Sequence, residues 1–235
     1  RDVQYAFVPR PPAGTGGAAA PGPAARPAAG AWAPLSGLSG ELVFDRSSLQ
    51  VRKAQGRFAG APGLQVQAEA AIPNLAEPVV GVTGTVRGPL AESLAVFNAS
   101  PVAASLGQPL AQTSASGTAE VKLQLSLPLA NLPRSTVQGS VALAGNDLAF
   151  PGAPPLSRVR GTVGFNERGF TLSGVQARAL GGDLRAEGGT RNPAPPAGEA
   201  HTQLRIQGQA SAEGLRQAQN LGPVPRLARQ AIGST

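Results

Sequence analysis

The sequence predicts a mainly β protein: an extended, curled antiparallel sheet forming an apolar groove, with one or two short helices. Two stretches repeat each other, LSGLSGELVFDRSSLQVRKAQ at 35–55 and LSRVRGTVGFNERGFTLSGVQ at 156–176, with equivalent positions 121 apart as between Gly40 and Gly161. Leu38 matches Val159, Leu42 matches Val163, Phe44 matches Phe165, Leu49 matches Phe170 and Val51 matches Leu172, around a polar turn reading DRSS or NERG. This is the pattern of a β-hairpin. From Leu38 onward the hydrophobic period is two, and helical segments are too few and too short to shield the resulting sheet.

Taken in order, 1–8 alternates like part of a strand through Val3, Tyr5 and Phe7. The tract 9–34 is almost entirely Ala, Gly and Pro and reads as a disordered insertion, because such a composition buries too little apolar area to offset chain entropy. Its PRPP segment has the form of a polyproline ligand, but in so biased a tract a flexible loop is the preferred reading. Alternation then assigns strands to 38–45, 49–55, 64–72, 79–87, 117–127, 136–144, 148–150, 159–166, 170–179, 183–187 and 202–207. Gly145-Asn146-Asp147, Asn166-Glu167-Arg168-Gly169 and Gly181-Gly182 carry hairpin-turn chemistry, since Gly and Asn tolerate positive φ. Pro89 opens a short helix with Leu90, Leu94 and Phe97 at helical spacing. The groove region therefore spans 35–210, and 211–235 reads as a short helical or frayed segment with Leu215, Ala218, Leu227, Ala231 and Ile232 at helix-compatible spacings broken by Pro223 and Pro225.

Composition agrees with a thin layer. The 235 residues are 41% apolar but hold one Trp, one Tyr and seven Phe, so the apolar side is built from Val, Leu and Ala. The absence of Cys removes disulfides and thiolate metal sites and leaves the redox compartment open. No run of about 18 apolar residues is present, and the chain starts at Arg1, so neither a spanning helix nor a signal peptide is expected in it. The 20 basic residues exceed the 13 acidic ones, giving +7, but they are spread singly and no aromatic series is interleaved with them. Nucleic acid is not an expected partner.

The alternation has a direction. In VKLQLSLPL, Val121, Leu123, Leu125, Leu127 and Leu129 fall on one face, and Lys122, Gln124 and Ser126 fall on the other. About eleven strands at roughly 4.8 Å spacing would span roughly 50 Å. An antiparallel sheet can solvate one face, but the apolar one needs a cover. Either the sheet closes on itself as a packed sandwich, or it curls, aided by Gly40, Gly84, Gly139 and Gly161, into a trough that a ligand fills. The trough-lining candidates are Leu42, Phe44, Leu49, Val51, Leu64, Val66, Val121, Leu123, Leu125, Val141, Leu143, Val159, Val163, Phe165, Phe170, Leu172, Leu204 and Ile206.

Catalytic signatures are weak. His201 is the lone histidine, which excludes a multi-histidine metal centre and gives a Ser–His pair no context. Asp183 and Glu187 share a strand face and could suggest paired carboxylates, but solvated strand residues explain them better. Asn98-Ala99-Ser100 matches a glycosylation sequon beside a predicted helix end. No Walker loop, dinucleotide fingerprint or nucleophile elbow is present, so no enzyme and no cofactor or metal are expected.

The order of elements resembles the repetitive region of the AsmA-like envelope proteins, most closely the YhdP family and more distantly TamB. The resemblance rests on Val96-Phe97-Asn98-Ala99-Ser100-Pro101, ASGTAEVKLQLSLPL at 115–129, VQGSV at 137–141, GNDL at 145–148 and ALGG at 179–182, and covers about 35–190. It implies a periplasmic β-groove, tied to the inner membrane by an N-terminal anchor that this chain lacks, conducting phospholipid acyl chains between inner and outer membrane. The insertion at 9–34 departs from the pattern. The competing expectation is a structural or adhesive β-rich surface module with a packed core.

Overall fold

The computed structural model describes residues 33–100, 103, 108, 110–131, 134–191 and 201–217. The expected strand at 1–8, nearly all of 9–34 and the region after 217 lie outside these residues. The described chain forms β1 (Leu35–Asp45), β2 (Ser48–Phe58), β3 (Ala61–Ile72), β4 (Val79–Pro89), α1 (Leu90–Ala99), β5 (Ser114–Ala115), β6 (Thr118–Pro128), β7 (Thr136–Ala149), β8 (Leu156–Asn166), β9 (Gly169–Ala179), β10 (Gly182–Thr190), β11 (Thr202–Gly208) and α2 (Ala212–Gln217). Among the described residues no helix is long and apolar enough to cross a membrane.

All strands belong to one open antiparallel sheet in the order β1-β2-β3-β4-β6-β7-β8-β9-β10-β11, with β5 pairing β7. Each strand lies beside its predecessor, apart from the excursion through α1 and β5, so nearly every pairing joins neighbours in sequence. The antiparallel path puts alternate connections on opposite rims. One rim carries the turns at 59–60 and 180–181 together with α1 and α2. The other carries the turns at 46–47 and 167–168 and the loop at 73–78.

The repeat seen in the sequence is a repeat of geometry. β1 and β2 recur 121 positions later as β8 and β9, strand end for strand end. Leu42 pairs with Val51 as Val163 pairs with Leu172, and Phe44 pairs with Leu49 as Phe165 pairs with Phe170. The irregularities recur too: Gly37 (φ 59) matches Arg158 (φ 53), and Lys53 (φ 50) matches Gly174 (φ 60). A left-handed residue bends the strand at the same two places whether or not it is glycine. The likeness continues past the hairpin, because Ala91-Glu92-Ser93-Leu94 in α1 has its counterpart in Ala212-Glu213-Gly214-Leu215 of α2 at the same offset.

One expected turn is not a turn. Gly145-Asn146-Asp147 lies inside β7, which runs unbroken through the two segments expected at 136–144 and 148–150. The register shifts there against β8, and Gly145 takes φ 106, so the turn-forming residues build a bulge. The side chain of Asn146, only 1% exposed, holds it. Its Nδ2 donates to the carbonyls of Ser116 and Thr118 at 3.0 Å each, and its Oδ1 accepts from the Ala144 N–H at 3.0 Å. Those carbonyls flank Gly117 (φ 81), where the chain kinks between β5 and β6, two strands that share one lane beside β7. The bulge in β7 and the kink opposite are thus one unit, with an amide filling the gap. β5 itself was not expected, because a two-residue strand has no periodicity to read.

α1 begins one residue later than Pro89 suggests, with Pro89 at the cap position, and ends where Ser100 Oγ bonds the Phe97 carbonyl at 2.6 Å.

Candidate functional site

Pairing across the sheet aligns the apolar side chains of successive strands into rows. The longest runs Val66, Val86, Val121, Val141, Val163, Leu172, Gly188, Leu204, crossing from β3 to β11. A second runs Ala54, Ala68, Gly84, Leu123, Gly139, Phe165, Phe170. A third runs Leu42, Val51, Ala70, Val82, Leu125, Val137. Residues directly opposite in an antiparallel pair share a face, so these rows form one apolar surface running across the strands.

Within the second row the rings need room. A Cβ at Gly139 would meet the Lys122 carbonyl and the Phe165 ring, so the ring lies over the glycine and covers backbone that no side chain covers.

All eighteen residues nominated from the sequence lie in these rows or continue them by strand alternation. Leu42 and Phe44 stand on β1, Leu49 and Val51 on β2, Leu64 and Val66 on β3. Val121, Leu123 and Leu125 follow on β6, Val141 and Leu143 on β7, then Val159, Val163 and Phe165 on β8. Phe170 and Leu172 on β9 and Leu204 and Ile206 on β11 complete the series. The strands between contribute Val80, Val82 and Val86 on β4, Leu127 on β6, Val137 on β7 and Leu184 and Ala186 on β10, none of which was nominated. The β4 residues were visible in the alternating text VVGVTGTV. Ala186 carried no signal, because an alanine among glycines and charges has no marked period.

The surface is not uniform along the strands. Toward the helical rim Leu143, Val159, Val175, Ala177 and Ala186 pack with Ala119 and with Leu90 of α1 into a buried cluster. Glu92 of α1 accepts from the Gly63 N–H at 2.9 Å, tying the helix to β3. Away from that rim the apolar residues of the middle strands are half-buried. On the two flanking strands they are open: Leu42 is 61% exposed, Phe44 68% and Ile206 63%.

The opposite face is polar. Gln138 Nε2 donates to Gln124 Oε1 across β6 and β7, and Arg87 Nε donates to Glu120 Oε2 at 2.7 Å across β4 and β6. Lys122 adds a second cation 3.6 Å from Glu120. The guanidinium of Arg87 holds the Glu120 carboxyl below the usual carboxylate range, with Lys122 reinforcing it. Asp183 and Glu187, weighed above as a carboxylate pair, each face a cation of their own, Arg178 at 3.2 Å and Arg185 at 2.5 Å. A shallow hollow of about 620 Å³ is lined by Leu123, Gly139, Phe165 and Phe170 of the second row together with Lys122 and Gln124. A twisted sheet is saddle-shaped, so each face has one concave diagonal.

The chain can therefore present a continuous half-open apolar surface on one side and a hydrated, ion-paired one on the other. The family model described as "YhdP protein" matches residues 25–233. No curated protein and no solved structure matches the chain.

Proposed function

Because this chain belongs to the YhdP family, we propose that it is a segment of a periplasmic bridge along which phospholipid acyl chains pass between the inner and outer membranes. The observation that carries the reading is the row from Val66 to Leu204, an apolar track perpendicular to the strands that crosses eight of them, with Gly188 the one position without a side chain. Each CH₂ of an acyl chain exposed to water costs about 0.8 kcal/mol, so a track of this kind lowers the barrier to crossing an aqueous gap. The rows supply cover and direction; no bond in the lipid need change, and the segment acts without enzymatic chemistry. The polar face keeps the outside of the bridge wet, and the membranes are reached through the full-length protein.

The test is photocrosslinking in cells from probes at Leu123 and Phe165, against probes at Lys122 and Thr162 on the polar face. Phospholipid attached at the first two and absent from the second two is the expected result. Probes at Leu123 and Phe165 that capture only protein, in a folded domain, would remove the lipid track. The buried cluster around Val159 and Val175 favours a second reading for that outcome, a structural module whose sheet packs on itself.

A further inference from the structure

The repeat makes the polar face its own control. In the first copy a row of directly opposed residues runs Ser39, Gln55, Gln67, Thr85 across β1 to β4. The same row in the second copy runs Arg160, Gln176, Arg185, Gln207 across β8 to β11. One row further along the strands, Glu69 faces Thr83 in the first copy and Glu187 faces Arg205 in the second. The frame is kept while a serine, a glutamine and a threonine become three arginines. Because the first copy builds the same sheet with neutral side chains at these places, the arginines are not a requirement of the fold.

Nor are their charges spent within the sheet. Arg185 binds Glu187 through Nε at 2.9 Å, and Arg178 pairs with Asp183 at 3.2 Å. Among the described residues Arg160 and Arg205 have no carboxylate within ion-pair distance, and both are exposed. Their neighbours on this face are Gln176, Gln203 and Gln207, with no aliphatic or aromatic side chain of the kind that enters a bilayer interface. Guanidinium groups bind carboxylates as planar forks.

We propose that the polar face of β8 to β11 docks an acidic protein segment, whose carboxylates meet Arg160, Arg185 and Arg205. Arg160 and Arg185 stand two strands apart, about 10 Å, which is about three residues of an extended chain. The strip lies opposite the apolar rows, so it stands whatever those rows carry.

The probe is a peptide with glutamate at every third position, titrated against the full chain, with its glutamine counterpart as control. The glutamate peptide should bind, more weakly as salt is raised, and the glutamine peptide should not. Arg160→Ser with Arg185→Gln and Arg205→Thr gives the second copy the first copy's residues, so the fold and its thermal midpoint should be kept while binding weakens about tenfold or more. Arg57→Gln, on the same face of the first copy, should leave binding unchanged. Binding that survives the triple variant, binding lost equally in Arg57→Gln, or no binding of the glutamate peptide would overturn the proposal. Phosphatidylglycerol vesicles that bind in place of the peptide, and are released by the triple variant, would overturn it in favour of a membrane surface.

Discussion

The ring of Phe165 occupies the space in which Gly139 would carry a side chain. The pairing is part of the sheet's register, for the two residues are directly opposite on β7 and β8. Large and small residues alternate along the same row, with Gly84, Leu123, Gly139 and Phe165 in sequence across four strands.

Gly139→Ala should therefore destabilise the sheet by about 1–3 kcal/mol, the usual range for overpacking. Urea unfolding reads it. Because a Cβ would also meet the Lys122 carbonyl, Phe165→Leu in the same chain should recover only part of the loss. Full recovery would show that the backbone contact is slack.

Asn146 should not tolerate replacement. Asn146→Ala strands two carbonyls and one N–H in a buried gap, at about 1–3 kcal/mol for each unsatisfied group. Asn146→Asp should be no milder, since a carboxylate cannot donate to the carbonyls of Ser116 and Thr118. An Asp variant as stable as the parent by thermal melt would contradict the assigned hydrogen bonds.

The left-handed positions make a prediction from the repeat. Arg158 holds φ 53 where the first hairpin has Gly37. Arg158→Gly should be neutral or stabilising by up to about 1 kcal/mol, relief of strain being offset by unfolded-state entropy. Arg158→Val should cost about 1–2 kcal/mol, because a β-branched residue fits that conformation poorly. Equal stabilities of the two variants in denaturant would remove the bulge as the reason.

Glu120 links stability to pH. Its carboxyl titrates lower in the folded chain than in the unfolded one, so its contribution is fully present above the unfolded pKa. That contribution fades as the pH falls through the folded pKa. Glu120→Gln should lower stability at neutral pH and converge with the parent in acid, measured by denaturation at a series of pH values. A deficit unchanged down to the most acidic point would mean that the effect is not ionic.

The apolar face should separate into structural and open positions. Leu64, fully buried, should cost about 2–5 kcal/mol on truncation to Ala. Phe44→Ala should cost under about 1 kcal/mol, because its ring is 68% exposed and leaves no cavity. Comparable losses at both sites would mean that the outer strand is covered in solution.

What the sequence by itself determined is what period two can carry: most of the strands, the face each side chain takes between bulges, the hairpin repeat and the eighteen nominated apolar residues. A strand's two faces follow from alternation without knowledge of its neighbours, which is why those residues were legible one strand at a time. Only the tertiary structure decided how they align into rows, because a row is a property of register between strands, and register depends on bulges. Gly145-Asn146 shows the limit. The same residues close a hairpin in one setting and build a bulge in another, and the choice lay with Ser116 and Thr118, some 30 residues away, whose carbonyls gave the Asn146 amide its partners. Burial was likewise decided from outside each strand: Val159 is sealed because β7 lies beside it, while Leu38, in the same position of the same motif, is open.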